Sequence, residues 1–292
     1  MEDMMCGKLL GDGCLTKQHG RRPRFQFTHA STDKGWSEHC FEGLSKFYPL
    51  AHPKYKKVID SRVGQGFTEC YVVQSRTSQE LSTLYEIWYP RGKKELPFAY
   101  IEQHFTERSL AWWYQDDGHL NQRNGILKKL ILSTDSFSTT ENQFLIDFLD
   151  RKFDFKFSID AQNRLILYDQ FQITYFLKLV TPYIHDSMAR KKLPPRNMKP
   201  IATRSTIYLP QDLILQKPTS EINNQYEKLS ILQELFQDHT NFFKMASSVK
   251  NRTIHTRPYQ IEIREQYKNQ LIRLKHETGL NISQITTHCF RI

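Results

Sequence analysis

Two short stretches stand out from the mixed polar and apolar positions of this chain: Met5-Cys6-Gly7-Lys8-Leu9-Leu10-Gly11-Asp12-Gly13 and Leu110-Ala111-Trp112-Trp113-Tyr114-Gln115-Asp116-Asp117-Gly118. Each reads as an apolar helical run that ends in Asp-Gly. An acid followed by glycine at the end of a buried helix predicts a stop, with the glycine in the left-handed conformation. The carboxylate is then left at the helix C-terminus, where the macrodipole disfavours negative charge and a nearby cation is welcome. Asp12 and Asp117 are 105 residues apart, the length of one small domain or one internal duplicate.

The pattern after the two runs repeats as well. Gly13 is followed by a strand-like segment ending in Arg22-Pro23-Arg24-Phe25-Gln26-Phe27-Thr28, a helical stretch from Asp33 to Tyr48, strand-like Lys54 to Asp60 and Glu69 to Ser75, and a helix from about Ser78 to Tyr89. Gly118 is followed by strand-like Ile126 to Ser133, a helix capped by Thr139 or Thr140, strand-like Phe155 to Ile159 and Arg164 to Tyr168, and a helix from about Gln172 to Tyr183. A basic turn bounded by proline closes each half, Arg91 to Pro97 in the first and Arg190 to Pro195 in the second. The chain therefore predicts two copies of helix, two strands, helix, two strands, helix. Periodicity fades and proline becomes frequent between Asn197 and Pro210, which places a boundary near 205. The remainder, 206–292, predicts mainly helices at Glu221 to Gln237, Asn241 to Val249 and Tyr259 to Thr278. A glycine turn and another helix start follow, resembling a helix-turn-helix.

Charge narrows the partners. The chain carries 41 Lys and Arg against 31 Asp and Glu, a formal charge of +10, and has a pI of about 9.3, a balance suited to a polyanion. Its five cysteines are scattered without a Cys-x-x-Cys pair, which predicts free thiols in a reducing compartment rather than a disulfide framework or a zinc site. With no membrane-length apolar run and no signal-like N-terminus, the sequence predicts an intracellular protein, cytoplasmic in a bacterium and organellar in a eukaryote.

The two motifs and their matching downstream elements resemble the LAGLIDADG homing endonucleases, in the single-chain form with two motifs. The first run agrees with the nine-letter motif at Gly7, Asp12 and Gly13, and the second at Leu110, Ala111, Asp117 and Gly118; Trp112 and Asp116 depart from it, standing where the motif has glycine and a small residue. The resemblance covers about residues 1–200. It implies an α+β fold of two pseudo-symmetric αββαββα repeats, 1–106 and 107–205, whose antiparallel sheets form a DNA-binding saddle, followed by the helical extension. It also implies a monomer that cuts double-stranded DNA, leaving short 3′ overhangs, or alternatively an intron RNA maturase or a non-cutting nucleic-acid-binding regulator on the same fold.

Phosphodiester hydrolysis needs a nucleophilic water and stabilised phosphate charge, which divalent metal held by carboxylates supplies. Magnesium takes oxygen ligands and is content with one or two protein carboxylates plus phosphate, and manganese is expected to substitute. The resemblance assigns that role to Asp12 and Asp117, with Gly11 and Asp116 beside them as candidate ligands. The resemblance also implies a lysine near the scissile phosphate in the basic turn of each half; matching the two turns gives Lys94 and Lys191 as catalytic lysines, with Lys93 and Lys192 as the alternatives. Gln115, near the base of its helix, is a candidate for orienting water. For base and backbone contacts, the strand Arg22, Arg24, Gln26, Thr28 shows one polar face, and arginine and glutamine are the side chains that read guanine and adenine edges. Lys54 and Lys56 suit phosphates, and Gln74 and Arg76 line the returning strand. The second half offers Lys129, Ser133, Lys156, Ser158 and Arg164, fewer cations than the first, which predicts two unlike half-sites.

Overall fold

The computed structural model describes residues 1–123, 126–194, 200–252 and 255–292; Pro195 and Asn197, used above to bound the second repeat, lie outside them. The first repeat runs α1 (Glu2–Leu10), β1 (Cys14–Thr16), β2 (Arg24–Ala30), α2 (Lys34–Leu44), β3 (Lys54–Ile59), β4 (Phe67–Gln74) and α3 (Gln79–Trp88). A connecting helix α4 (Phe98–His104) leads to the second: α5 (Glu107–Asp117), β5 (Gly118–Arg123), β6 (Ile126–Leu132), α6 (Thr139–Phe153), β7 (Ser158–Ile159), β8 (Leu165–Leu167) and α7 (Gln170–Val180). The two four-stranded sheets have the same order, β1-β2-β4-β3 and β5-β6-β8-β7, and the strand pairings described are antiparallel. The fold is α+β and internally duplicated, as the sequence predicts.

Two compact units divide the chain. The first comprises Met1–Leu120, Leu130–Leu167 and Val180–Lys192; the second comprises Asn121–Lys129, Tyr168–Leu179 and Leu193–Ile292. The first unit is built on α1 packed against α5. At Gly7 the two helices meet tightly, since a Cβ there would run into the Ser109 carbonyl and stand 2.9 Å from Trp112 Cβ. At the lower end a Cβ on Gly11 would come within 2.6 Å of Asp116 Cβ. The small residues of the first motif thus face the large ones of the second, and one glycine per contact is enough for close packing. Around this seam Asp3 binds Arg108 at 2.7 Å, and the Ser109 hydroxyl donates to the Asp3 carbonyl at 2.7 Å. Trp36, Trp112 and Trp113 fill the adjacent core. Replacing Gly7 with Ala forces apart a backbone contact that no rotamer relieves, so a loss of about 2–3 kcal/mol is expected in chemical denaturation.

Three local expectations change. The motif glycines are not left-handed: Gly118 has φ −81° and α1 ends at Gly11 with φ −96°. They are required by proximity, because a Cβ on Gly13 would lie 2.6 Å from the Lys8 carbonyl oxygen and one on Gly118 would strike the Tyr114 ring. The cap of α6 is Ser138, whose hydroxyl accepts from the Glu141 amide while the Glu141 carboxylate returns to the Ser138 amide, in place of Thr139 or Thr140. Tyr259, expected to start a helix, lies instead in a strand.

That strand belongs to the second unit. It contains an antiparallel ribbon of β9 (Arg204–Pro210) and β10 (Thr256–Glu262), with α8 (Pro218–Gln225), α9 (Leu229–Leu235), α10 (His239–Arg252), α11 (Glu265–Thr278) and α12 (Ile282–Arg291). Tyr259, Ile261 and Ile263 are buried at a spacing of two, and Tyr259 pairs with Ile207. That spacing of two is strand periodicity, in a segment expected to be helical. Gly279, with φ 75°, ends α11, and Asn281 caps α12 in a reciprocal bond with Gln284. The glycine-linked helical pair is present, but α12 lies against β9 with Ile285 through Cys289 buried. Among the described residues no helix is long and apolar enough to cross a membrane.

Candidate active site and nucleic-acid face

Both motif acids and both turn lysines fall in the first unit. Asp117 is the last residue of α5, and Asp12 follows the Gly11 cap of α1. Lys94 reaches back to the Gly13 carbonyl at 3.4 Å; Lys191 does the same to the Gly118 carbonyl, and also donates to Tyr114 O at 3.3 Å. Each lysine is therefore placed on the terminal glycine of its own motif, a correspondence that the duplication repeats. Their sequence neighbours differ: Lys192 pairs with Asp186 at 3.1 Å, and Lys93 is exposed.

Between the acids lies a buried polar cluster. The side chains of Lys8 and Asp116 have no exposed surface. The Lys8 ammonium donates to both Asp116 oxygens, at 2.7 and 2.9 Å, and sits 2.6 Å from His29 Nε2. Asp116 also accepts from Trp36 Nε1 at 2.8 Å and from the Asp12 backbone amide at 3.1 Å. His29 Nδ1 is 2.7 Å from the Ser37 hydroxyl. Burial, reinforced by Lys8, holds the His29 pKa down; because an ammonium can only donate, Nε2 accepts from Lys8, which leaves the ring proton on Nδ1, towards Ser37. Burial works against charge on Lys8 and Asp116 too, but each outweighs it for the other: Lys8 is pushed up, and Asp116, with Lys8 beside it, is held far below the usual carboxylate range.

The acids at the two motif ends both shift the opposite way from Asp116. Burial pushes Asp12 up to about 7, with Asp116 and Asp117 adding to the shift and Lys8 opposing it. Burial and the Asp116 carboxylate push Asp117 up to about 6 against Lys94, Lys8 and Lys191. Burial lowers Lys94 and Lys191. Two carboxyls whose ionisation is disfavoured by confinement and by a third anion form the electrostatic setting that a divalent cation relieves.

A ligand atom from each of Asp12, His29 and Asp116 can come within 4.8 Å of the others. In that trio, however, Asp116 and His29 are already committed to Lys8, Trp36, Ser37 and the Asp12 amide. Asp12 and Asp117 offer carboxylate oxygens, the donor type that a hard, oxygen-preferring metal takes. Gly11, a candidate ligand from the sequence, packs against Asp116. Gln115 is buried, and its amide is engaged with Ala111 O at 3.1 Å, Tyr183 O at 3.2 Å and the His185 amide at 2.8 Å. The water-orienting role expected of it is corrected on that ground: the side chain clamps α5 to the 181–185 segment instead.

The first sheet presents the polar face that strand alternation predicts. Arg24, Gln26 and Thr28 alternate with buried Phe25, Phe27 and His29. Gln26 pairs with Gln74 in register and accepts from its amide at 3.0 Å. Lys54 and Lys56 stand opposite Val72 and Cys70 on the same face, and Arg24, Lys54, Lys56, Gln74 and Arg76 line one shallow concavity. Arg22 is exposed just before β2 rather than within it.

In the second half the expected contacts are more dispersed. Lys156 is bound to Asp150 at 2.5 Å and Asp154 at 3.3 Å, and Arg164 to Asp160 at 2.6 Å. Ser158 is exposed, and Ser133 donates its amide to the Asp117 carbonyl at 3.1 Å. Lys129 belongs to the second unit.

Sequence reasoning missed Lys8, His29 and Trp36. Lys8 could have been found as a lysine at an apolar motif position, and His29 by extending the β2 alternation by two residues.

Residues 2–176 match the LAGLIDADG DNA endonuclease family. The chain is 30% identical over 195 residues to an uncharacterised protein of Methanocaldococcus jannaschii, covering 63% of this chain and 70% of that protein. It is 29% identical over 208 residues to a cytochrome b mRNA maturase of Debaryomyces hansenii, covering 65% and 72%, and 28% identical over 130 residues to an intron-encoded endonuclease of Dictyostelium discoideum, covering 42% and 77%. Among solved structures, the homing endonuclease I-WcaI bound to its DNA recognition sequence is similar with a TM-score of 0.56 and 24% identity, over 65% of this chain and 84% of that one.

Proposed function

The chain belongs to the LAGLIDADG DNA endonuclease family, and we propose that it is a site-specific double-strand DNA endonuclease of the homing type. The observation that carries this reading is the repeated motif end: in each half an acid with a raised carboxyl pKa, and a lysine on the carbonyl of the motif's own glycine. Asp12 and Asp117 would hold Mg²⁺, or Mn²⁺ in its place, which supplies a bound water of lowered pKa and a counter-charge to phosphate. Lys94 and Lys191 bring one cation to each motif end, where charge on a reacting phosphate is stabilised. Asp116 fixes the Asp12 backbone through its amide. Arg24, Gln26, Thr28 and Gln74 on the first sheet would face base edges, and Lys54, Lys56 and Arg76 the phosphates; the pairing of Lys156 and Arg164 with local acids makes the second half a weaker grip.

A second reading, an intron RNA maturase, is favoured by the Debaryomyces hansenii relative named as one. Two under-compensated carboxyls count against it, because a pure binder gains nothing from anions turned towards phosphate. The assay that separates the two incubates the protein with the intron-less insertion locus of its own gene, with Mg²⁺ and then with EDTA. Cutting that requires the metal supports the nuclease; splicing assistance without cutting overturns it.

The sheet assignment has its own test. Arg24→Ala is expected to cost about 1–3 kcal/mol of binding and to relax specificity at one base pair. Lys54→Ala is expected to weaken all sequences alike and to lower the salt dependence by about one ion. Fluorescence anisotropy across a salt series measures both.

A further inference from the structure

Lys8 stands where the family motif has an apolar residue, and Asp116 stands where it has a small one. In this chain the two departures meet. The three N–H donors of Lys8 are matched by three acceptors, His29 Nε2 at 2.6 Å and the two Asp116 oxygens at 2.7 and 2.9 Å. His29 is otherwise well placed to bind metal: its Nε2 lies 3.7 Å from Asp12 Oδ2 and 3.4 Å from Asp116 Oδ1, and the three groups have the reach of a ligand set. One imidazole and two carboxylates would favour softer transition metals over Mg²⁺.

We propose that Lys8 sets the metal preference of this site, its ammonium occupying His29 Nε2 and both Asp116 oxygens so that only the oxygens of Asp12 and Asp117 remain for a divalent cation. The proposal rests on the reading of Asp12 and Asp117 as the cation pair. Lys8 is thus a positioning and specificity residue: it touches no substrate and acts through the groups it withholds. A divalent ion could reach His29 only by displacing a buried ammonium held by three hydrogen bonds and by the faces of Phe27 and Trp36, at 4.5 and 5.4 Å.

The experiment is a Co²⁺ titration of the full chain without DNA, read by visible absorption. Wild-type protein is expected to give the weak absorption of an oxygen-ligated, six-coordinate ion, unchanged in affinity and spectrum by H29A. K8M is expected to bind Co²⁺ on the order of tenfold more tightly, with stronger absorption that K8M/H29A loses. A wild-type spectrum or affinity that H29A alters would overturn the proposal, as would a folded K8M that binds Co²⁺ like wild type. Should K8M fail to fold, the H29A comparison in the wild-type background decides alone. Co²⁺ affinity retained in D12N/D117N would instead refute the assignment of the acid pair, an outcome separate from any effect of H29A.

Discussion

Asp12→Asn and Asp117→Asn are each expected to reduce cutting by about a thousandfold or more while leaving DNA binding intact or tighter. The loss follows from removing one of the two carboxylates proposed to hold the metal: a cation contributing several kcal/mol to the transition state is worth that factor in rate. The gain in binding follows from deleting an anion beside phosphate. The same substitutions should stabilise the metal-free protein. Folding moves the carboxyls from 3.8 to about 7 and about 6, so the native state holds protons that the unfolded chain has already released. Their stabilising contribution is complete below pH 4 and is lost as pH rises through 6 to 7. At pH 8 each Asn variant should therefore be more stable than wild type by about 1–2 kcal/mol, well under the full linkage value, because the Asp12 side chain is 35% exposed and partly screened. Strand-resolved cleavage, anisotropy and metal-free denaturation give the three readouts.

The second large effect concerns stability. Lys8→Leu or Asp116→Ala alone leaves a buried, unpaired charge, and each is expected to cost about 3–5 kcal/mol. Combined, K8L/D116A places an apolar and a small residue where the family motif has them. The double variant should recover much of the loss, giving a coupling of about 2 kcal/mol or more in a double-mutant cycle. It still leaves Trp36 Nε1 and the Asp12 amide without their acceptor, so recovery will be incomplete. Asp12 loses that backbone tether, and cutting should remain impaired even where stability returns.

The duplication was legible in the sequence because each copy carries its own signals: apolar runs ending in Asp-Gly, a strand alternating Arg24-Phe25-Gln26-Phe27, a basic turn before proline. These are local patterns, read within ten residues of themselves. The buried cluster was not legible for the opposite reason. Lys8 and Asp116 are 108 residues apart in the chain, and each taken alone looks like a blemish in a motif. Only the crossing of α1 and α5 makes one the reason for the other. Gln115 shows the same limit, since a polar residue near a helix end suggests chemistry until its amide is seen spent on Ala111, Tyr183 and His185. The Asp-Gly glycines, Gly13 and Gly118, were expected for a left-handed turn but are required by contacts with the Lys8 carbonyl and the Tyr114 ring. The β9 and β10 ribbon escaped notice because its strands are separated by 45 residues, 211–255, containing three α-helices and a short 3-10 helix, and no short-range hairpin signal connects them.

The measurement closest to the centre of this account is the melting temperature of the metal-stripped protein at pH 8 and pH 5, with and without Mg²⁺, for wild type and D12N/D117N. Mg²⁺ should raise the melting temperature of wild type at pH 8, where both acids are ionised, and do so far less at pH 5, where protons occupy the same oxygens. It should leave D12N/D117N unmoved at either pH. An equal Mg²⁺ shift in wild type and the double variant would contradict the claim that these two acids hold the metal.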